Sequence, residues 1–221
     1  MRSDIVKPVM IHILCLCFLG VISVRAEFRI WESTRGDVWE GEFVTMNGGL
    51  VVVRDQSGNK TELKPEALCP ADLEYLEKMV PPKVNISVSK TTDSAGASGS
   101  QERVKCLATL RQVDTKPYSG ELTLVLVIMA EDIRTGAMSI SSKTEEGFTL
   151  PANRGEALEF ASKSAQFYKR SQKGGRAYSG YLVVVWDRFG NPIAVESNRA
   201  AYEEKATSLA SVGLKNRKRW N

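Results

Sequence analysis

Short runs in which apolar and polar residues alternate fill the chain between residues 28 and 64, and glycine-containing turns separate them. Because successive side chains of a strand point to opposite faces, this pattern predicts short strands with one buried face. The predicted strands are 28–33, 38–45, 50–54 and 61–64. Pro70 suits the first position of a helix, and Leu73 and Leu76 give that short helix an apolar side that covers one end of the strands.

A larger β-region follows Pro81 and Pro82, which interrupt the pattern and mark a domain boundary. Leu122 to Ala130 and Tyr181 to Trp186 are apolar at nearly every position. Both runs are too short to cross a membrane as helices, so they predict central strands of a two-layer sheet. With their neighbours they predict an immunoglobulin-like β-sandwich over residues 81–200.

The segment from Glu156 to Arg170 fits two structures. Leu158 and Phe160 have the spacing of a strand. One side of a helix is instead fitted by Leu158, Ala161, Ala165 and Tyr168. We favour a strand.

The beginning of the chain differs from the rest. Residues 1–26 carry Arg2 and Lys7, then an apolar run from Val9 to Val24, and they end at Ala26. The run has only about 16 residues, whereas a membrane span needs about 20, so a cleaved secretory signal peptide is predicted. An uncleaved anchor is the alternative. After cleavage we expect no stable membrane insertion and a secreted, periplasmic or cell-envelope location.

The end of the chain, residues 201–221, predicts a short helix from Tyr202 to Gly213 and a basic tail from Leu214 to Asn221. The formal net charge of the chain is +4, and residues 1–26 contribute +2 of it. The remainder is too balanced for a dedicated nucleic-acid binder, so no nucleic-acid partner is expected.

The catalytic chemistry open to this chain is limited, because its single histidine, His12, lies within the predicted signal peptide. The rest of the chain therefore lacks the residue on which Ser-His-Asp triads, Cys-His pairs and histidine-ligated zinc sites depend. No nucleophile, metal set, cofactor motif or phosphate loop stands out. We expect a protein that is not an enzyme and needs no metal or cofactor.

Two cysteines, Cys69 and Cys106, remain after the signal peptide. In an oxidising compartment they can form a disulfide between the two predicted domains. The alternative is that Cys106 is a buried thiol, because Val104, Cys106 and Ala108 share one apolar face of a strand.

Several short strings in residues 27–80 carry a resemblance to a known family. They are R-x-W at Arg29 and Trp31, E-F-V at Glu42 to Val44, D-x-x-G at Asp55 to Gly58, and L-x-x-x-D-L-x-Y at Leu68 to Tyr75. This stretch resembles the first homology domain of the yeast endocytic clathrin adaptor family. The resemblance implies an SH3-like barrel that recognises short sorting peptides of the Asn-Pro-Phe type. Similar modules occur in secreted proteins of planctomycete and verrucomicrobial bacteria.

The first functional hypothesis is protein or peptide binding by this barrel. Arg29, Trp31 and Ser33 fall on one face by alternation, and Arg35 lies at the following turn. A tryptophan beside an arginine offers an extended peptide a flat apolar surface and an anchoring charge. The alternative is that Trp31 fills the barrel interior.

The second hypothesis places binding on the predicted sandwich. A cell-envelope or matrix component would bind glycan or surface proteins through exposed aromatic residues such as Tyr178, Tyr181 or Trp186. Trp186 alternates with Leu182 and Val184, so burial in the core is the alternative for it.

Overall fold

The computed structural model describes residues 27–95, 101–114, 116, 118, 120–153, 155–170 and 174–211. Within them the chain is all-β, built from two open antiparallel sheets and a few short helices, which confirms the predicted fold class at that level. The predicted signal peptide and basic tail lie outside the described residues. No helix among the described residues combines the length and the apolar character needed to cross a membrane.

The first sheet has four strands, which pair in sequence order. They are β1 (Phe28–Glu32), β2 (Val38–Asn47), β3 (Leu50–Arg54) and β4 (Lys60–Leu63). A short 3-10 turn at Pro65–Ala67 leads to helix α1 (Pro70–Met79). The predicted strands and helix are therefore confirmed, and the alternation of buried and exposed residues together with the glycine turns was sufficient to find them. We call residues 27–80 the N-terminal unit.

The core of the N-terminal unit lies between its sheet and α1. It consists of Trp31, Phe43, Val51, Val53, Leu68 and Leu76. Leu73 packs against this cluster from the same helix. The two leucines of α1 thus close one end of the sheet, as their spacing predicts.

The second sheet has eight strands, which together with two short helices form the C-terminal unit, residues 84–211. Its elements are β5 (Val84–Ala95), β6 (Gln101–Gln112), β7 (Leu122–Asp132), β8 (Met138–Phe148), β9 (Ala157–Ala161), β10 (Ala165–Arg170), β11 (Gly174–Trp186), β12 (Pro192–Ser197), α2 (Ala200–Glu203) and α3 (Ala206–Ser211). The order is β5-β6-β10-β11-β7-β8, with β9 paired to β6 and β12 paired to β11. The ambiguous segment 156–170 therefore forms two strands, in agreement with the favoured interpretation.

Strand β7 is buried on both faces, which explains why its sequence lacks the usual alternation. Leu124 and Leu126 point into the main core, which β6, β10 and β11 also line. Val125 and Val127 point the other way, into a second core that α2 and α3 cover with residues such as Leu209. Up to Ser211 the predicted helix at 202–213 is thus present as two short helices, which cover the second apolar face, and its last two positions lie outside the described residues.

The two units meet at the turn that joins β11 to β12. Phe189 at the tip of this turn packs edge-to-face on Phe43, with 5.6 Å between the ring centroids. Asn191 Nδ2 donates a hydrogen bond to the carbonyl oxygen of Val44 at 3.0 Å. Arg188 contacts the sulfur of Met79. The core of the N-terminal unit is therefore completed by a residue of the C-terminal unit.

Candidate interaction surface

Trp31, the centre of the predicted peptide site, is fully buried. Its indole N–H donates a hydrogen bond to the carbonyl oxygen of Gly41 at 2.9 Å. Its ring packs edge-to-face on Tyr75, with 5.7 Å between the centroids. The structure therefore places this residue in the core, the alternative left open by the sequence, and it has no face to offer a peptide.

Arg29 is also engaged within the N-terminal unit. Its Nη2 lies 2.6 Å from Oδ1 of the buried Asp72, and its guanidinium lies 4.0 Å above the ring of Tyr75. The other carboxylate oxygen of Asp72 accepts a hydrogen bond from the backbone N–H of Glu32 at 2.8 Å. A buried carboxylate is tolerated because both of its oxygens have partners. Arg29 therefore joins β1 to α1, a structural role.

These contacts bring two of the sequence strings together in space. Arg29 and Trp31 come from the first string, and Asp72 and Tyr75 come from the last. Burial raises the pKa of the Tyr75 hydroxyl, while the positive charge of Arg29 acts in the opposite direction. The strings therefore mark a folding cluster of an ion pair and two aromatic rings, which is named here the Arg29 cluster.

Ser33 and Arg35 lie away from the Arg29 cluster, at the β1–β2 turn. The Ser33 hydroxyl accepts hydrogen bonds from the backbone N–H groups of Arg35 at 3.1 Å and Asp37 at 3.0 Å. Such a serine stabilises a turn. The Arg35 side chain is exposed. The structure therefore does not bring the four predicted peptide-binding residues into one site.

The opposite face of β1 and β2 carries a different surface, which the sequence analysis missed. Phe28, Ile30 and Val38 are 41, 68 and 62% exposed, respectively. Phe28 and Ile30 alternate with the buried side of β1, and Glu32, next on the same face, is paired with Val38 across the strands. We call these three residues the β1 surface. Alternation along β1 could have indicated this surface, because it places Ile30 and Trp31 on opposite faces of the strand.

The backbone next to the β1 surface is accessible, because β1 is an edge strand. At its C-terminal end the edge is covered, since Cys69 N–H donates to the carbonyl oxygen of Glu32 at 2.9 Å. Backbone groups on an antiparallel strand alternate in direction, so those of Phe28 and Ile30 point the same way as those of Glu32, away from β2. Among the described residues, no backbone hydrogen bond joins Phe28 or Ile30 to the 3-10 turn or to α1. An uncovered edge beside exposed apolar side chains is a template for pairing with another chain.

The charges around the β1 surface are acidic. Glu32 and Glu40 lie on the same face and are exposed. Glu42 follows on β2 but is buried and ion-paired with Arg54. The two exposed carboxylates therefore favour a ligand that carries basic residues next to its apolar ones.

The aromatic residues proposed for the sandwich hypothesis are partly buried. Tyr178 packs edge-to-face on Phe167 at 5.9 Å between centroids, and Lys90 lies 4.7 Å from the ring centre of Tyr178. The hydroxyl of Tyr181 donates to a carboxylate oxygen of Glu196 at 3.4 Å. Trp186 is partly buried as well, and it lines an open cleft.

The possible disulfide between Cys69 and Cys106 is not formed, because both residues are free thiols. Cys106 is buried in the main core of the C-terminal unit, and burial raises the pKa of its thiol. Cys69 precedes α1 in the N-terminal unit, where its side chain makes no capping hydrogen bond. Cys106 points into the core together with Val104 and Ala108 of β6. This is the buried thiol that the sequence offered as the alternative to a disulfide.

The described part of the chain contains no group of three or more His, Cys, Asp or Glu residues placed to hold a metal ion. No protein-family model matches the chain, and the searches of curated proteins and of solved structures found no match either.

Proposed function

We propose that this chain is a secreted, non-catalytic interaction module that binds an extended polypeptide segment through its N-terminal unit. The observation that carries the proposal is the β1 surface, three exposed apolar side chains beside an uncovered strand edge. This replaces the binding residues predicted from the sequence, since Arg29 and Trp31 are engaged in the Arg29 cluster.

Binding is proposed to occur by strand addition. A partner segment forms main-chain hydrogen bonds with Phe28 and Ile30, and its alternate side chains contact the β1 surface. Main-chain pairing provides affinity for any extended segment, whereas the apolar contacts and the nearby Glu32 and Glu40 provide selectivity for apolar residues that alternate with basic ones.

The finer fold assignment belongs to the same proposal. The sequence resemblance, four short consecutive strands and a closing helix support an SH3-like barrel for the N-terminal unit. A main core enclosed between strands supports an immunoglobulin-like sandwich for the C-terminal unit. The composition of residues 1–26 supports a location outside the cytoplasm.

The test is selection of peptides from a displayed random library on the chain from residue 27 onward, followed by affinity measurements. We expect Ile30→Lys to weaken the selected peptide at least about tenfold, because it places a charge in the apolar contact. Ile133→Lys is the matched control, since Ile133 is an isoleucine that is 49% exposed directly after β7. Both changes lie on the surface, so both variants are expected to fold with a free energy of unfolding within about 0.5 kcal/mol of the parent chain.

Strand addition has its own readout. Methylation of alternate backbone nitrogens in the selected peptide is expected to abolish binding in one register and to leave it intact in the other, because only every second N–H faces β1. The proposal is overturned if no peptide is enriched, if Ile30→Lys leaves the affinity unchanged, or if Ile133→Lys weakens it equally.

A further inference from the structure

An open cleft of about 730 Å³ lies on the C-terminal unit, at the end of the sheet nearest the N-terminal unit. The lining residues come from β7 and the position before it, from β8, β11 and the β11–β12 turn, and from α3; among them are Glu121, Thr123, Lys143, Glu145, Trp186 and Arg188. Its volume lies within the range of small-molecule sites, about 300 to 1,000 Å³.

Among the described residues, α3 packs on one part of its sheet face, and the cleft lies beside that part. Val125, Val127 and Met129 of this face are buried beneath the helices. Thr123 continues the same face, and Thr123 and its cross-strand partner Trp186 line the cleft beside Ala210 and Ser211 of α3. The floor is therefore a β-sheet surface with an aromatic ring on it.

The polar groups around Trp186 include donors and acceptors side by side. Lys143 Nζ pairs with a carboxylate oxygen of Glu145 at 3.1 Å, and the Lys143 side chain is only 12% exposed. Glu121 adds a second carboxylate, and Arg188 adds a guanidinium. Asp187 also lines the cleft, but its Oδ1 already accepts hydrogen bonds from the backbone N–H groups of Phe189 and Asn191, each at 2.8 Å.

We infer that this cleft binds a neutral oligosaccharide, with a sugar ring lying on Trp186. Each sugar hydroxyl both donates and accepts a hydrogen bond, so it matches a wall in which ammonium and carboxylate groups alternate. The C–H groups on one face of a sugar ring form an apolar surface that suits a partly exposed indole.

The charges of the cleft disfavour strongly charged ligands. A polyanion would face Glu121 and Glu145, whereas a basic peptide would face Lys143 and Arg188. A neutral ligand avoids both repulsions and can hydrogen-bond to either set. This site is separate from the β1 surface, so the two proposals stand or fall independently.

The test is titration of the chain with neutral hexasaccharides at millimolar concentration, followed by calorimetry. Maltohexaose, cellohexaose and hexa-N-acetylchitohexaose are the neutral probes, with heparin as the polyanion and an oligolysine as the basic peptide. We expect at least one neutral probe to bind and Trp186→Ala to weaken it at least about tenfold. Because Trp186 also packs against the second core, Ser211→Trp provides a second variant that leaves the floor intact and fills the mouth of the cleft.

Tyr168→Ala is the matched control, since it removes an aromatic residue that is 42% exposed on β10. We expect it to leave saccharide binding unchanged, and we expect Glu145→Gln to weaken binding by removing a charged acceptor. The inference is overturned if none of the three neutral probes binds, if only heparin or oligolysine binds, or if Ser211→Trp leaves the affinity unchanged.

Discussion

The two units of this protein are stabilised in different ways. The C-terminal unit encloses two cores, and its strand β7 contributes to both. The N-terminal unit has one small core, which depends on the Arg29–Asp72 ion pair and on Phe189 from the other unit. Small domains bury a smaller fraction of their surface than large ones. One ion pair, or one aromatic ring from a neighbouring unit, therefore contributes a larger share of their free energy of unfolding. The smaller unit should therefore be easier to unfold selectively.

The largest expected effect comes from Asp72→Ala. This change leaves the Arg29 guanidinium without its partner and removes the acceptor for the Glu32 N–H. Breaking a buried ion pair in this way costs about 3 to 5 kcal/mol, which should unfold the N-terminal unit. Hydrogen exchange followed by mass spectrometry should show loss of protection in β2 and β3 while β7 and β11 stay protected.

The control for Asp72→Ala is Glu74→Ala on the same helix. Glu74 pairs with Lys78 at 2.7 Å, but both side chains are more than two-thirds exposed. Exposed pairs contribute about 0 to 1 kcal/mol, so this variant should keep the protection of β2. Equal loss of protection in the two variants would contradict a special role for the Arg29 cluster.

The next largest effect is expected for Leu209→Ala. Leu209 is a residue of α3, and its side chain is buried in the second core of the C-terminal unit. Replacing a buried leucine by alanine costs about 2 to 5 kcal/mol. Because the N-terminal unit depends on Phe189, Leu209→Ala should lower the stability of both units. Asp72→Ala, in contrast, should lower that of the N-terminal unit alone. Thr207→Ala, an exposed position on α3, is the control, and a loss confined to the C-terminal unit would argue against the dependence.

A smaller effect is expected for Phe189→Ala. Removal of a fully buried phenylalanine costs about 3 to 5 kcal/mol, and Phe189 is only half-buried, so about 2 kcal/mol is expected. The loss should lower the protection of β2 and β3 and leave the C-terminal unit almost unchanged. Val195→Ala, on the strand after the same turn, should affect neither unit. Unchanged protection of β2 in Phe189→Ala would mean that the N-terminal unit is self-sufficient.

The smallest expected effect is on the stability of the two units at low pH, and it involves one aspartate in each unit. A side-chain hydrogen bond from Asn59 lowers the pKa of Asp55, and a backbone hydrogen bond from Thr135 lowers the pKa of Asp132. A carboxyl whose pKa is lowered on folding stabilises the folded state above its ordinary value of 3.8, and that contribution is lost as the pH falls through the lower folded value. Asp55→Asn should flatten the acid dependence of the N-terminal unit alone, and Asp132→Asn that of the C-terminal unit alone. Unfolding midpoints of each unit, measured below pH 3.8, test whether each aspartate affects only its own unit.

Local patterns were enough to predict many of the elements. The strands of the N-terminal unit follow from alternation and from turns such as Gly48–Gly49, both of which have positive φ angles of 56° and 84°. The central strands β7 and β11 follow from their unbroken apolar runs. These features depend on neighbours within a few residues, so the sequence contains them directly.

The candidate site was harder to predict, because alternation separates the faces of a strand without showing which face meets solvent. Trp31 and Ile30 are adjacent in the chain, and only the position of α1 decides that the first is buried and the second exposed. The absence of the Cys69–Cys106 bond and the contact between Phe43 and Phe189 also depend on packing between distant segments. The same holds for the pairing of β6 with β9 and β10.

The β11–β12 turn takes part both in the cleft and in the contact with the N-terminal unit. Arg188 and Phe189 line the cleft, and the same two residues contact Met79 and Phe43 of the N-terminal unit. A ligand in the cleft that stabilises one conformation of this turn therefore changes the free energy of unfolding of the N-terminal unit, because the turn packs against the core of that unit. By thermodynamic linkage, any such coupling is reciprocal, so a segment bound at β1 that shifts the N-terminal unit alters the affinity of the cleft by the same factor.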